Sequence, residues 1–276
     1  MSKPLIFSLR PEPDCSEDVA SLTRAGYEAR PLPMMAIKGD DAALDKALET
    51  FSHTPDTEII ITSKQSGRML AAYSNSSAFR QSRIWCVGAG SAEILRQAGF
   101  TQVEVGKADA AELLEEIDAS NVDKKPSLLW LSGADIAFDI EKGLNLRGHR
   151  ATRIIIYQTV GYTPENQHPD SQHPENQALL DALFAGRPVA AIAMSARTIT
   201  RFAEMLAHQK MPDGKMPDGK MPDGKMSAKS VNPILIVQSP AQAERAKNLG
   251  FSCICAEGLG RKALLACATA WAQRHR

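Results

Sequence analysis

Aromatic residues are scarce in this 276-residue chain, where phenylalanine, tryptophan and tyrosine together make up 5%. Single-stranded nucleic acids are held largely by bases stacked on such rings, so that kind of surface is not expected. Net charge is absent too, with 32 Lys+Arg against 32 Asp+Glu. A balanced chain offers a polyanion no global field, although it leaves room for a local anion site. No nucleic-acid partner is therefore expected. Long apolar runs are also missing, and none approaches the roughly 18 residues that a membrane-crossing helix needs. The N-terminal Met1-Ser2-Lys3-Pro4-Leu5-Ile6-Phe7-Ser8-Leu9-Arg10 holds too short an apolar stretch for a signal peptide. The expectation is a soluble, cytoplasmic protein without a membrane partner.

Cysteine is sparse and irregular. The five residues Cys15, Cys86, Cys253, Cys255 and Cys267 are odd in number and contain no CxxC pair. That spacing matches neither a zinc site nor a disulfide framework, so no metal is expected. Cys86, Cys253 and Cys255 lie in apolar, strand-like runs and read as buried free thiols. Several catalytic signatures are lacking as well. No GxxxxGK[ST] phosphate loop occurs, and Gly88-Ala89-Gly90 is without the third glycine of a dinucleotide turn. Neither Ser132 nor Ser195 sits in a GxSxG elbow, which leaves a hydrolase triad without support.

What the chain does contain is one unit used repeatedly: a short apolar run, a small hydroxylated or glycine-containing turn, then an amphipathic helical segment. Residues 59–62 lead into Ser63-Lys64-Gln65-Ser66-Gly67, and 85–87 into Gly88-Ala89-Gly90-Ser91-Ala92. The pattern returns at 190–194 before Ser195-Ala196-Arg197-Thr198, and at 234–237 before Gln238-Ser239-Pro240-Ala241-Gln242. Residues 91–100 also lie well on 242–251, each ending in Gly-Phe. The chain thus reads as two similar α/β halves whose strand-end turns face one another across a cleft.

Strands are expected near 5–9, 28–32, 58–62, 84–87, 102–105, 127–131, 152–157, 189–194, 234–237 and 252–255. Arg10-Pro11-Glu12-Pro13 breaks the backbone after the first strand, and Asp14 with Glu17 resembles a capping box opening a helix that stops near Gly26. Further helices are expected near 41–51, 65–74, 90–98, 109–118, 135–146, 175–185, 197–208, 241–249 and 260–273. Such alternation implies right-handed crossovers and parallel sheets. Residues 39–156 hold five strands, enough for one doubly wound domain. The remainder is two strands short unless the N-terminal pair joins it. The inferred layout is a discontinuous domain of 1–36 plus 160–276, with 39–156 inserted and connectors near 33–38 and 157–162. Two low-complexity tracts, 167–174 and the threefold Met-Pro-Asp-Gly-Lys of 210–225, read as surface loops.

In open α/β sheets, ligands sit beyond the carboxyl ends of the strands, where helix N-termini offer unpaired N–H groups. The candidate binding residues are accordingly Ser63, Lys64, Gly88, Ser91, Ser132, Gly133, Ser195, Thr198, Ser239 and Gln242, with Arg10 nearby as an anion ligand. Each serine or threonine alone is explained equally by helix capping. Lys64, Arg68, Arg197 and Arg201 favour carboxylate or phosphate groups, although each alone fits a solvated helix face.

Together these motifs resemble the uroporphyrinogen-III synthase family. The features are Leu9-Arg10-Pro11, Ile61-Thr62-Ser63, Val87-Gly88-Ala89-Gly90-Ser91-Ala92 with Ala98-Gly99-Phe100, Leu131-Ser132-Gly133, Ile156-Tyr157-Gln158-Thr159, and Met194-Ser195 with Arg201-Phe202. They follow the family's order across nearly the whole chain. The resemblance implies two flavodoxin-like or Rossmann-like parallel-sheet domains, one discontinuous, joined by a two-stranded connector. It also implies a cofactor-independent hydro-lyase, monomeric, that takes a linear tetrapyrrole. That enzyme cyclises hydroxymethylbilane to uroporphyrinogen III with loss of water and inversion of ring D. Tyr157 then matches the family's proposed proton donor, and the plainer reading is a connector tyrosine packed at the domain junction. Three departures stand out: Gln65 where the family often has asparagine, Gln242 in place of a threonine, and Ile136-Ala137-Phe138 where basic residues are common. A non-catalytic two-domain tetrapyrrole- or anion-binding relative is the alternative. A two-lobed solute-binding protein of periplasmic type is disfavoured by the missing signal peptide.

Overall fold

A computed structural model describes residues 3–52, 56–107, 109–121, 125–161, 174–208, 233–258 and 260–276. The tract at 167–173 and the pentads at 210–225 lie outside them. In chain order the first elements are β1 (Leu5–Ser8), α1 (Asp14–Arg24), β2 (Glu28–Pro31), β3 (Met35–Gly39), α2 (Asp41–Ser52), β4 (Glu58–Ile61), α3 (Lys64–Ala72), β5 (Ile84–Cys86), α4 (Ala89–Gln97) and β6 (Val103–Val105). They continue as α5 (Ala110–Ser120), β7 (Ser127–Gly133), α6 (Ile140–Leu146), β8 (Arg150–Gly161), α7 (Pro174–Phe184), β9 (Val189–Ile192), α8 (Ala196–His208), β10 (Ile234–Val237), α9 (Pro240–Asn248), β11 (Cys253–Cys255) and α10 (Gly260–Arg274).

The strands form two sheets, ordered β11-β10-β9-β1-β2 and β3-β8-β7-β4-β5-β6. Pairs with described register, such as β1 with β9 and β4 with β7, are parallel. The described residues divide into two compact units, one from Met1–Ala36 and Val160–Arg276, the other from Ile37–Thr159. The architecture is the mixed α/β, parallel-sheet class that the alternating pattern implies.

Period-two alternation builds a core on each face of each sheet. In the first unit Leu5 and Phe7 join Phe202 and Phe251 on one face. Ile6 joins Trp271 and Leu264 on the other. In the second unit Ile59 and Ile61 pack with Leu70 and Leu129, while Ile60 packs with Trp130 and Ile117. Burial on both faces explains why these strands are almost continuously apolar.

Some expectations change. The segments expected as a two-stranded connector, near 33–38 and 157–162, fall largely in β3 and the end of β8, which are neighbouring strands of the second sheet. Asp40 N–H donates to Ile156 O at 2.8 Å, tying the end of β3 to β8. The helix expected from 135 begins at Ile140, because Asp139 caps it by accepting from Lys142 N at 3.0 Å. Cys255 is exposed at the end of edge strand β11 rather than buried, and Cys253 is half-buried. Cys15 and Cys86 are buried, and loss of hydration pushes both thiols up to about 12, which makes them poor nucleophiles. Among the described residues no helix is long and apolar enough to cross a membrane.

The expected capping box at Asp14 is also replaced. Pro13 occupies the N-cap position, and the Glu12 carboxylate accepts from Ser16 N at 3.1 Å instead. The Asp14 carboxylate takes Arg10 at 2.5 Å. Arg10 is 7% exposed and its other amino group bonds Asp18 at 3.1 Å. Asp18, fully buried, also accepts from Ser8 Oγ at 3.0 Å and from Arg261 Nε at 2.6 Å. One carboxylate thus joins β1, α1 and α10.

Removing one partner of a buried ion pair strands the other charge. Asp18→Ala is expected to lower unfolding free energy by about 3–5 kcal/mol in urea titrations.

Candidate functional site

Three apolar strands of the second unit, β4, β5 and β7, end in polar turns. At the end of β4, Ser63 is extended (φ −142°, ψ 151°) and caps α3 by accepting from Ser66 N at 3.0 Å. Tyr157 Oη donates to the same Ser63 Oγ at 3.0 Å, and Ser66 Oγ lies 3.0 Å from it. A hydroxyl has two acceptor positions and one proton. Ser66 N and Tyr157 Oη fill both acceptor positions, so the Ser63 proton is directed to Ser66 Oγ. Tyr157 keeps its own oxygen lone pairs for another donor.

A bulge sets Tyr157 there. The β7–β8 register shifts after Ser132, which pairs with Ile155, while Gly133 pairs with Tyr157. The extra residue lets neighbouring Ile156 and Tyr157 pack on the same core. The ring then lies directly on Gly133: a Cβ at Gly133 would be 2.5 Å from Tyr157 Cζ and 2.7 Å from its hydroxyl oxygen. Only glycine leaves that space. Ala134 N donates to Tyr157 O at 2.8 Å and closes the turn.

Residues not singled out from sequence complete this corner. Arg153 donates from Nε to Ser132 Oγ at 2.7 Å, and from one amino group to Gly133 O at 2.7 Å and Ala134 O at 2.9 Å. Its guanidinium lies 5.1 Å from the Trp130 ring centre, and Trp130 Nε1 donates to Thr62 Oγ1 at 3.1 Å. The adjacency of Thr62 to Ser63 was visible in sequence. The reach of Arg153 along β8 carried no local signal.

Lys64 opens α3, and its stem crosses the first turn of α4, where a Cβ on Gly90 would lie 2.5 Å from Lys64 Cε. The α4 N-cap is Gly88, which has no side chain to satisfy that helix end. Ser91 is 4% exposed, and its N–H turns back to Gly88 O at 3.0 Å. Gln65 stands in the first turn of α3. Ser63, Ser132, Gly133 and Tyr157 therefore form one contiguous cluster, beside which Lys64 spans to the Gly88 turn.

The first unit carries a second set. Ser195 Oγ accepts from Thr198 N at 3.0 Å and lies 2.8 Å from Thr198 Oγ1, which repeats the Ser63–Ser66 pair. Ser239 caps α9, with Gln242 N at 3.4 Å. The Gln242 amide accepts from Gln238 N at 2.9 Å and donates to Met194 O at 2.8 Å. Its length lets it tie the ends of β9 and β10, so the amide is used within the fold. Arg10 is likewise engaged, by Asp14 and Asp18, and does not present its guanidinium as the sequence suggested.

Comparison with known proteins agrees with this architecture. A family model described as uroporphyrinogen-III synthase HemD matches residues 16–266. Among solved structures, uroporphyrinogen-III synthetase from Helicobacter pylori is 14% identical at a TM-score of 0.54, covering 98% of this chain and 100% of that one. A mutant uroporphyrinogen III synthase from the extremely thermophilic bacterium Thermus thermophilus is 14% identical at a TM-score of 0.51, covering 99% of each chain. At that identity the two structures speak to the fold. No curated protein sequence matches.

Gly133→Ala tests the corner. The methyl group meets a rigid ring, so the substitution is expected to cost about 1–3 kcal/mol in chemical denaturation, as overpacking does. A neutral result would show that the ring moves away freely.

Proposed function

The chain belongs to the uroporphyrinogen-III synthase family, and from that membership we propose which of its residues carry the reaction. The enzyme is a lyase of tetrapyrrole biosynthesis that closes hydroxymethylbilane into uroporphyrinogen III, with loss of water and inversion of ring D. The single observation that carries the residue assignment is the Tyr157 hydroxyl, hydrogen-bonded to Ser63 at a strand end with its ring seated on Gly133.

Tyr157 is the general acid. Its proton passes to the oxygen of the substrate's hydroxymethyl group as the C–O bond breaks and water leaves. The pyrrole nitrogen supplies the electron pair, giving an azafulvene that closes through a spiro intermediate. The ring carbon that makes the final bond loses a proton, so the phenol is restored and water is the only other product. Ser63 holds the phenol meanwhile. The phenol proton rests on Ser63 Oγ in the free protein and leaves that bond to reach the substrate. Ser63 then turns its own proton from Ser66 Oγ to the phenolate oxygen and holds it there.

The remaining work is to hold a flexible chain in reactive shape, a source of much rate enhancement. The substrate's eight carboxylates call for cationic and N–H donors. Lys64, Gln65 and the turns at Gly88, Ser91, Ser132 and Gly133 serve the second unit. Ser195, Thr198 and Ser239 serve the first. Helix N-termini suit carboxylates because their unpaired N–H groups and dipoles favour negative charge. Arg10 and Gln242 act indirectly, by fixing the turns they brace. The enzyme works as a cytoplasmic monomer on a diffusible substrate, with its own side chains supplying the acid chemistry and no cofactor.

The test supplies freshly generated hydroxymethylbilane and separates isomers I and III as oxidised porphyrins. Spontaneous closure gives isomer I, so predominant isomer III is the expected product. Tyr157→Phe is expected to lower kcat by about 10²–10⁴, the usual span for a lost general acid, while the protein stays folded. Isomer I alone from folded wild-type protein would leave a non-catalytic tetrapyrrole binder as the account.

A further inference from the structure

The Arg153 guanidinium is bound to the oxygens of one turn, while the residue's backbone N–H donates to Glu141 Oε1 at 2.9 Å. Its Nε reaches Ser132 Oγ at 2.7 Å, and one amino group is shared between Gly133 O at 2.7 Å and Ala134 O at 2.9 Å. Two carbonyl oxygens drawn to one nitrogen repel each other unless a cation lies between them. A planar guanidinium meets hydroxyl and carbonyls together through its fixed fork, which an ammonium does not.

We propose that Arg153 is the positioning residue that holds Tyr157 where its proton can reach the leaving hydroxyl, an inference that rests on the synthase reading above. Arg153 pairs with Trp130 on β7. Tyr157 is four residues further along β8, roughly 13 Å at strand spacing, so Arg153 acts through the turn between them. That turn touches Tyr157 twice. Gly133 forms the wall under the ring, and Ala134 N donates to Tyr157 O at 2.8 Å. The acceptor of the Tyr157 proton leads back to the same guanidinium. Trp130 lies beneath it at 5.1 Å and donates from its indole to Thr62 Oγ1 at 3.1 Å, beside Ser63. Both ends of the Tyr157–Ser63 bond are therefore braced from Arg153.

Loss of the brace frees the Gly133 and Ala134 carbonyls to turn apart, and the ring loses its seat. The donor then shifts, and of the carboxylate-holding turns only the one at Ser132 and Gly133 shifts with it, which places most of the cost on turnover and little on binding.

The experiment is a double-mutant cycle on the full-length enzyme with Arg153→Gln, Tyr157→Phe and the double variant, scored by isomer III formation. Arg153→Gln is expected to lower kcat about ten- to hundredfold with KM nearly unchanged, the scale of a misplacement near 1 Å. In the Tyr157→Phe background the same change is expected to cost less than about twofold, since residues acting as one unit are not additive. Arg153→Lys is expected to fall with Arg153→Gln, and it replaces that variant in the cycle should the latter fail to fold. Undiminished kcat, equal losses in both backgrounds, or full rescue by lysine would each overturn the proposal. Fluorine NMR of protein labelled with ring-fluorinated tyrosine gives a readout free of turnover. The Tyr157 signal, identified by its absence in Tyr157→Phe, is expected to move and broaden in Arg153→Gln, and an unmoved signal would also overturn the proposal. Isomer I alone from wild-type protein would instead sink the synthase reading, and the NMR comparison would still judge the brace.

Discussion

Ile59, Ile60 and Ile61 have no exposed surface, and they alternate between two cores. A strand covered on both faces carries a polar side chain only where a partner meets it, as Asp18 meets Ser8 and Arg153 meets Ser132. The helix that follows has the opposite need, because its first N–H groups have no partners of their own. The turn between strand end and helix start is thus where polar groups gather, in both units alike. This is why the candidate residues Ser63, Ser195 and Ser239 fall at helix starts, although nothing about ligand binding is needed to put them there. Capping places these groups first, and the proposed chemistry makes use of them.

Ser63 shows how such a cap takes a second partner. Its oxygen already serves the backbone of α3, yet one acceptor position is left, and Tyr157 fills it. A phenol in that role is unusual for a strand, because strict alternation would send Tyr157 to the face opposite Ile156. The shift between Ser132 and Gly133 cancels the alternation by one residue. Gly133 then accepts the ring at a distance that a methyl group would occupy. Bulge, glycine and cap are separate local devices, and the donor geometry depends on all three.

Much of this was legible beforehand. Four-residue apolar runs gave the strands, and a hydroxyl directly after each gave the helix starts at Ser63, Ser195 and Ser239. Strands alternating with helices along the chain implied the parallel α/β class. What escaped was decided by partners distant in sequence. Arg10 looked like an anion ligand because it stands beside a strand-end turn, and Asp14 resembled a cap. Burial turned both, with Asp18, into one network completed by Arg261, which is 243 positions away from Asp18. Gln242 looked like a lengthened threonine, and its length instead spans to Met194, 48 positions away. Arg153 carried no motif at all. Its bonds reach Ser132, Gly133 and Ala134 on the neighbouring strand end, a pairing that periodicity does not reveal.

The two units share a cap but differ in what donates into it. Ser195 and Thr198 reproduce the hydroxyl pair of Ser63 and Ser66 closely, down to the backbone N–H three residues on. Among the described residues, only the Ser63 copy receives a phenol. The difference arises in the second sheet, where β8 runs past its bulge as a twelve-residue strand and carries Tyr157 to the end of β4. In the first sheet, β9 and β10 are four residues each and are tied at their ends by the Gln242 amide. On the proposed reading, the described residues of the repeated scaffold supply anion-holding turns in both units and a phenol donor in one. The reaction breaks one C–O bond and needs one acid, while eight carboxylates need many donors, so the asymmetry matches the demands of the chemistry.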